Sequence, residues 1–164
     1  MDTIESLLDE LRRSVRGDAW HGPALGEALA DVTAAEAAAC PVAGAHCIRD
    51  VALHAVGWME EAARRLCGCD PGLPERGDWP AEASALDDAG WIAARSEVEF
   101  AHDALAAAVR DFAPERLGER VGVAREPALG TGVTFAGLVH GVAQHNAYHA
   151  GQVMLLKRLL RAAS

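Results

Sequence analysis

The last long segment of the chain carries one unbroken helical stripe. Its members follow one another at steps of three or four residues and are Leu138, Val142, His145, His149, Gln152, Leu156 and Leu160. Because an α-helix has 3.6 residues per turn, residues at these steps share one face. The aliphatic residues should turn that face towards a core, and the two histidines lie on it with them.

Composition favours an all-α fold of one domain. Alanine, the strongest helix former, is abundant, whereas aromatic residues make up only 5% of the 164 residues. A chain of this length fits a single domain, which we take as residues 1–164. Such a domain buries roughly 70% of its unfolded surface, which is enough for a core.

Helix-breaking residues separate four long helical segments. The predicted helices cover residues 2–16, 47–67, 85–112 and from about Thr134 nearly to the C-terminus. Short helical turns are predicted between the first two, over 24–30 and after a capping box formed by Thr33 and Glu36.

Two long connections join the later helices. They cover 68–84 and 113–133 and are rich in proline and glycine, with a little extended structure predicted at 121–123. Connections of this length favour a four-helix bundle with long crossover loops over a simple up-down-up-down bundle.

Two histidines of the stripe are spaced for a metal ion. His145 and His149 lie one above the other on the helix, so both imidazoles can bind one ion. A third, His54, lies in the apolar stripe of the second long helix, between Val51 and Trp58. Three imidazoles with one position left open are typical of catalytic zinc, although nickel, copper and iron also accept imidazole.

Two interpretations without a metal stay open at this point. A single histidine on an apolar face is more often a hydrogen-bonded core residue, and His54 alone would be one. The spacing of His145 and His149 also arises by chance in a chain with seven histidines. The pair lacks the glutamate that follows the first histidine in zinc proteases, because Asn146 stands there, so a protease is disfavoured.

The other four histidines lie off these stripes. His140 should face a neighbouring helix or solvent, because five residues before His145 is about 140° around the helix. His46 is expected to cap the second long helix, His21 lies in a Gly-Pro loop, and His102 lies off the apolar stripe of the third. A fourth ligand from His140 or His46 would indicate a structural site.

Charge and hydropathy argue against nucleic acids and membranes as partners. The net charge is −9, and no basic stripe of the kind that binds a duplex is present. No segment reaches the length of about 18 apolar residues that a membrane span needs, and the acidic start is no secretory signal. We therefore expect a cytoplasmic protein whose four cysteines stay reduced.

Three segments resemble one known family. HGVAQHNAYHAGQVMLLKRLL, residues 140–160, resembles the C-terminal helix of the DinB/YfiT-like superfamily of metalloenzymes. PVAGAHCIRDVALHAVGWMEE, residues 41–61, resembles its second helix, where a histidine precedes a Trp-containing stretch. The early run Trp20-His21-Gly22-Pro23 is similar to its first-helix region.

The resemblance implies a fold and a ligand set. It implies an up-up-down-down four-helix bundle, often a homodimer, in which three histidines bind a divalent metal ion, usually zinc or nickel. Carried over by position, these ligands are His54, His145 and His149, the same three that the helical stripes indicate.

The resemblance also implies a class of activity. Some relatives are S-transferases or isomerases that use a low-molecular-weight thiol such as bacillithiol or mycothiol, so we expect a thiol S-transferase acting on a small molecule. Trp58, Glu61 and Gln152 are expected to line its pocket, with a solvated Glu61 as the alternative. Metal-dependent hydrolysis, and a non-catalytic metal-binding homodimer of a stress response, stay open as other functions.

Overall fold

The computed structural model describes residues 3–79 and 86–162, and within these ranges the protein consists of helices, turns and loops. The helices are α1 (Ile4–Arg16), α2 (Leu25–Leu29), α3 (Ala34–Ala38), α4 (Ile48–Leu66), α5 (Asp88–Asp111) and α6 (Phe135–Ala162), with 3₁₀ turns at Pro114–Arg116 and Pro127–Leu129. The all-α prediction is confirmed, and none of the described helices is both long and apolar enough to cross a membrane.

Local capping explains where most helices begin. The capping box of Thr33 and Glu36 opens α3 as predicted, and the Thr134 hydroxyl accepts a hydrogen bond from the Gly137 amide at the start of α6. The Asp87 carboxylate accepts from the Gly90 amide at the start of α5. The predicted start of this helix at residue 85 lies outside the described residues.

The core lies between α1, α4, α5 and α6. Helices α1 and α4 each pack against both α5 and α6, while the short α2 and α3 cover one end. Large side chains with almost no exposed surface fill this core, among them Leu7, Leu11, Ile48, Met59, Leu105 and Val109. Burying each of these contributes about 1.5–3 kcal/mol relative to leaving it in water.

The directions of the long helices differ from the up-up-down-down order that the family resemblance implies. α1 and α6 run the same way, because Glu10 contacts His140 and, further along both helices, Ser14 contacts Asn146. α4 runs opposite to α6, because residues later in α4 contact residues earlier in α6 or just before it. His54 therefore contacts His149, whereas the later Arg65 contacts the segment just before α6.

α4 and α5 run in the same direction. Arg76 forms ion pairs with both Glu60 and Glu97, and nearer the two C-terminal ends Leu66 and Phe112 line one surface cavity. The order of the four long helices is thus up-down-down-up. The long connection makes this order possible, because residues 67–87 span up to about 70 Å when extended, against about 28 Å for α4.

A short extended pairing shapes the second connection. Val121 donates its amide to the Val133 carbonyl oxygen at 2.9 Å, and Gly132 donates to the Val121 carbonyl oxygen at 2.8 Å. The β-bridge joins Arg120 to Thr134, next to the segment 121–123 where the sequence predicts a little extended structure, whereas residues 121–123 themselves form bends with Gly122 at a φ of 73°. The pairing holds residues 127–133 beside the C-terminal half of α4, where the Leu129 carbonyl oxygen accepts from Arg65 at 2.7 Å.

His102 is buried in the bundle, contrary to its predicted place off the apolar stripe. Its side chain is 3% exposed, Nε2 has no hydrogen-bond partner among the described residues, and Nδ1 lies 3.5 Å from Asp103 Oδ1, which is too far for a strong hydrogen bond. Burial, with a contribution from the nearby Arg16 guanidinium, lowers the pKa of His102 below its ordinary value of 6.5. A buried neutral imidazole with one weak polar contact and an unpartnered Nε2 should cost stability.

We predict that His102→Leu stabilises the protein by about 1 kcal/mol at pH 7.5, because it removes a buried polar ring whose Nε2 has no hydrogen-bond partner among the described residues and whose Nδ1 has only a weak one. Below pH 6.5 the unfolded chain binds a proton at this histidine more readily than the folded chain, so wild-type stability falls on acidification. The His102→Leu variant should therefore lose less stability than the wild type between pH 7.5 and 5.5. Urea unfolding at pH 7.5 and 5.5 measures both effects, with the exposed His21→Leu as control.

Candidate metal centre

Three imidazoles from two helices meet inside the bundle. His145 Nε2 lies 3.0 Å from His54 Nε2 and 3.0 Å from His149 Nε2, and one ligand atom of each residue lies within 4.8 Å of the others. α4 supplies the first residue and α6 the other two, as the stripes predict. The structure therefore brings together the three histidines that the sequence indicates.

The outer nitrogens of two rings have partners that can only accept. His54 Nδ1 donates to the Asp78 carbonyl oxygen at 2.5 Å, and His149 Nδ1 donates to Gln152 Oε1 at 2.6 Å. Because a neutral imidazole carries one proton, both rings are protonated at Nδ1. Their Nε2 lone pairs both face His145 Nε2.

This arrangement fits a bound cation. His145 Nε2 faces two lone pairs and can donate a proton to one of them at most, while its Nδ1 is buried without a partner among the described residues. One divalent ion would satisfy all three Nε2 atoms at once. Tetrahedral ligands about 2.0–2.1 Å from zinc are about 3.3 Å apart, close to the 3.0 Å that separates His145 Nε2 from the Nε2 atoms of His54 and His149.

Burial keeps the three rings neutral. Burial, together with the neighbouring imidazoles, lowers the pKa of His145 to about 3, and burial lowers the pKa of His149 to about 4 against the opposing hydrogen bond to Gln152. Burial also lowers the pKa of His54, against the opposing influence of Asp78. Metal ligands must be unprotonated, so near neutral pH the rings are already in the state that binds a metal.

A tryptophan from the α4–α5 connection covers one side of the cluster. The Trp79 ring stacks on His54 with centroids 3.9 Å apart and an interplanar angle of 8°, and it also stacks on His46 at 3.5 Å and 3°. Two rings that stack centrally on one indole lie on opposite faces. From the sequence we expect His46 to cap α4, but its ring stacks on this tryptophan instead. The indole therefore separates His46 from the cluster.

Asp78, the residue before Trp79, fixes two side chains of the site. Its carbonyl oxygen accepts from His54, and its Oδ1 accepts from Trp58 Nε1 at 2.9 Å. Sequence reasoning missed both Asp78 and Trp79, because they lie in a connection without helical periodicity. An acidic residue next to a tryptophan in a polar loop was the one available signal.

The other side of the cluster opens into a groove of about 360 Å³. α4, α6 and residues 127–133 form its walls, and both His54 and His145 line it. Trp58 lines this groove, as expected from the sequence. Gln152 instead lies behind His149, where it holds the Nδ1 proton.

Glu61 lies elsewhere, in a buried ion pair. Its side chain is 1% exposed, so the solvated alternative is wrong, and it is absent from the groove lining. Its Oε1 accepts from Arg65 Nε at 3.0 Å and from the Gly72 amide at 2.8 Å, while Oε2 accepts from Arg64 at 2.7 Å. These contacts join α4 to the connection that follows it.

We predict that Glu61→Gln destabilises the protein by about 3 kcal/mol, because it leaves the buried Arg65 guanidinium without its counter-charge. Urea unfolding measures the loss. Glu60→Gln is the matched control, since its carboxylate pairs with Arg76 at the surface and contributes less than about 1 kcal/mol. A drop in metal affinity without a loss of stability would instead give Glu61 a role at the site.

Neither candidate for a fourth ligand reaches the cluster. His140 Nδ1 lies 2.5 Å from Glu10 Oε2, on the side of α6 that faces α1. His46 lies beyond the Trp79 ring. Within the described ranges the cluster thus offers three protein ligands, which leaves a coordination position for a guest molecule.

We predict that Gln152→Leu lowers the affinity for Zn²⁺ by about 10- to 100-fold, because it removes the acceptor that orients His149. Gln144→Leu, an exposed position on the same helix, should bind Zn²⁺ like the wild type. Competition with a chromophoric chelator measures both variants. Equal affinities for the two variants would show that the Gln152 contact does not support metal binding.

Comparison with known proteins gives one match. A protein-family model described as the DinB superfamily matches residues 19–153, which include all three histidines. No curated protein and no solved structure matches the chain.

Proposed function

The chain belongs to the DinB superfamily, and we propose that its three-histidine cluster binds a divalent metal ion, zinc or nickel, in an enzyme that acts on a small molecule. One observation carries the proposal. Two Nε2 lone pairs, fixed by hydrogen bonds at the opposite nitrogens, face a third Nε2 at 3.0 Å, and no arrangement of protons satisfies all three.

The residues around the cluster support a catalytic site more than a structural one. A structural zinc site is normally closed by four protein ligands, whereas the described residues supply three. Asp78 and Gln152 hold two of the rings, and Trp79 excludes water from one side. The remaining side leads into the groove, so a substrate can reach the cluster from one direction.

Thiol transfer is the activity that we propose. When bound, a divalent ion would supply Lewis-acid chemistry that favours the thiolate form of a substrate thiol, the competent nucleophile. Among the described residues that line the groove there is no Asp or Glu. A hydrolase that relies on a carboxylate to activate water would lack that group here, whereas metal-assisted ionisation of a thiol needs no carboxylate, so this lining favours thiol chemistry over carboxylate-assisted hydrolysis.

We predict that the protein binds one equivalent of Zn²⁺ or Ni²⁺ and that His145→Ala abolishes this binding. His140→Ala removes an imidazole from the same helix but outside the cluster and should keep the metal. Elemental analysis after dialysis measures the metal content. Full metal content in His145→Ala would exclude the proposed site.

The metal-loaded protein should catalyse the conjugation of bacillithiol or mycothiol to monochlorobimane. In this reaction the sulfur forms a bond to carbon, chloride leaves, and the thiol proton goes to solvent. His145→Ala should reduce the rate to background. A metal-loaded wild type without any rate above background for either thiol would remove thiol transfer and leave ester or amide hydrolysis to be screened.

The homodimer implied by the family resemblance stays a prediction. An outward face of α6 offers a surface for it, because Tyr148, Leu155 and Leu159 are all exposed and lie on one side of the helix.

A further inference from the structure

The groove beside the histidine cluster is large enough for a small organic group. Its volume of about 360 Å³ lies at the lower end of the range for small-molecule sites, roughly 300–1,000 Å³. His54 and His145 lie at one end of it. A molecule in the groove can therefore present one atom to the cluster while its remainder contacts the walls.

The walls are almost entirely apolar. Helix α4, residues 127–133 and α6 contribute the lining side chains that do not belong to the cluster. These include Trp58, Pro127, Leu129, Val133, Leu138 and Val142. Covering such walls with an apolar group gains about 25 cal/mol for each Å² removed from water. A polar group in the same place would lose its hydrogen bonds to water without gaining others.

The lining also lacks a free charge that could bind an anion. Arg65 is its one ionised side chain among the described lining residues, and it is 2% exposed. Its guanidinium already donates to Glu61 Oε1 and to the carbonyl oxygens of Leu129 and Gly72 at 2.7–3.0 Å. The Glu61 carboxylate neutralises it, so a carboxylate or phosphate lying against these walls, away from the metal position, would find no counter-charge among the described lining residues.

A glycine keeps the groove open beside the cluster. Gly141 lies one turn before His145 and lines the groove, and a Cβ built on it meets no atom within 4 Å. Close packing therefore does not require glycine here, although glycine in a helix costs about 1 kcal/mol relative to alanine. At Gly137, in contrast, a Cβ would come within 3.2 Å of Thr134 Oγ1.

We infer that the substrate carries an uncharged aryl or alkyl group that lies in this groove, and that Gly141 sets the size of the group it accepts. The inference rests on the proposed function in one respect, namely that the reacting atom meets the histidine cluster. The apolar group itself is bound by the walls. Its binding is independent of the metal and can be measured without it.

The test uses N-phenyl-1-naphthylamine, an uncharged probe whose fluorescence rises in apolar sites, with metal-free protein. Gly141→Leu should weaken its binding by about tenfold or more, because the leucine fills the space that the probe needs. Gly151→Leu is the matched control, since it lies on the same helix with equally open space but outside the groove lining. It should bind the probe like the wild type.

A competition experiment on the wild type tests the charge preference without any substitution. Benzyl alcohol should displace the probe, whereas benzoate, of similar size but negatively charged, should not. Equal displacement by the two, or equal probe affinity in Gly141→Leu and Gly151→Leu, would overturn the inference. Elemental analysis of Zn²⁺-loaded Gly141→Leu should still give one equivalent.

These measurements separate the two proposals. Suppose that Gly141→Leu loses probe binding and that the wild-type protein binds no metal. These two results together would refute the metal centre and support the apolar groove. Normal metal binding would support the metal centre. If probe affinity were then unchanged in Gly141→Leu, and benzyl alcohol and benzoate displaced the probe equally, the inference about the apolar groove would be refuted.

Discussion

Three imidazole lone pairs that face one another inside a helical bundle are the constraint on which this site depends. Hydrogen bonds to Asp78 and Gln152 fix the protons of two rings on their outer nitrogens, so the inner nitrogens can only accept. Protonation of a ring would supply a further donor, but burial makes protonation unfavourable. A cation is the partner that satisfies all three nitrogens, and the separations of 3.0 Å suit one.

The fold turns this cluster into a site with one entrance. Because α4 and α6 run in opposite directions, a histidine early in α4 meets two near the middle of α6. The connection after α4 runs back along the bundle and places Trp79 over one side of the cluster. Residues 127–133 flank the opposite side and complete an apolar groove. The same long connections that set the helix directions therefore also shape access to the metal centre.

Sequence reasoning found the features that follow from local periodicity. The positions of His54, His145 and His149 on inward faces depend only on 3.6 residues per turn. The helix order depends on where the connections lead, and the periodicity of the helices does not encode this. The expected order therefore comes from the family resemblance, and it differs from the observed one. Asp78 and Trp79 were missed for the same reason. Glu61 and Arg65 are spaced four apart, and that spacing could have indicated the ion pair.

The most direct test of the metal centre is anomalous diffraction from crystals of protein loaded with Zn²⁺, collected on both sides of the zinc absorption edge. We predict one strong peak in contact with the Nε2 atoms of His54, His145 and His149 and with no fourth protein ligand. A peak bound elsewhere, or an ordered cluster of imidazoles without a peak at full zinc loading, would contradict it.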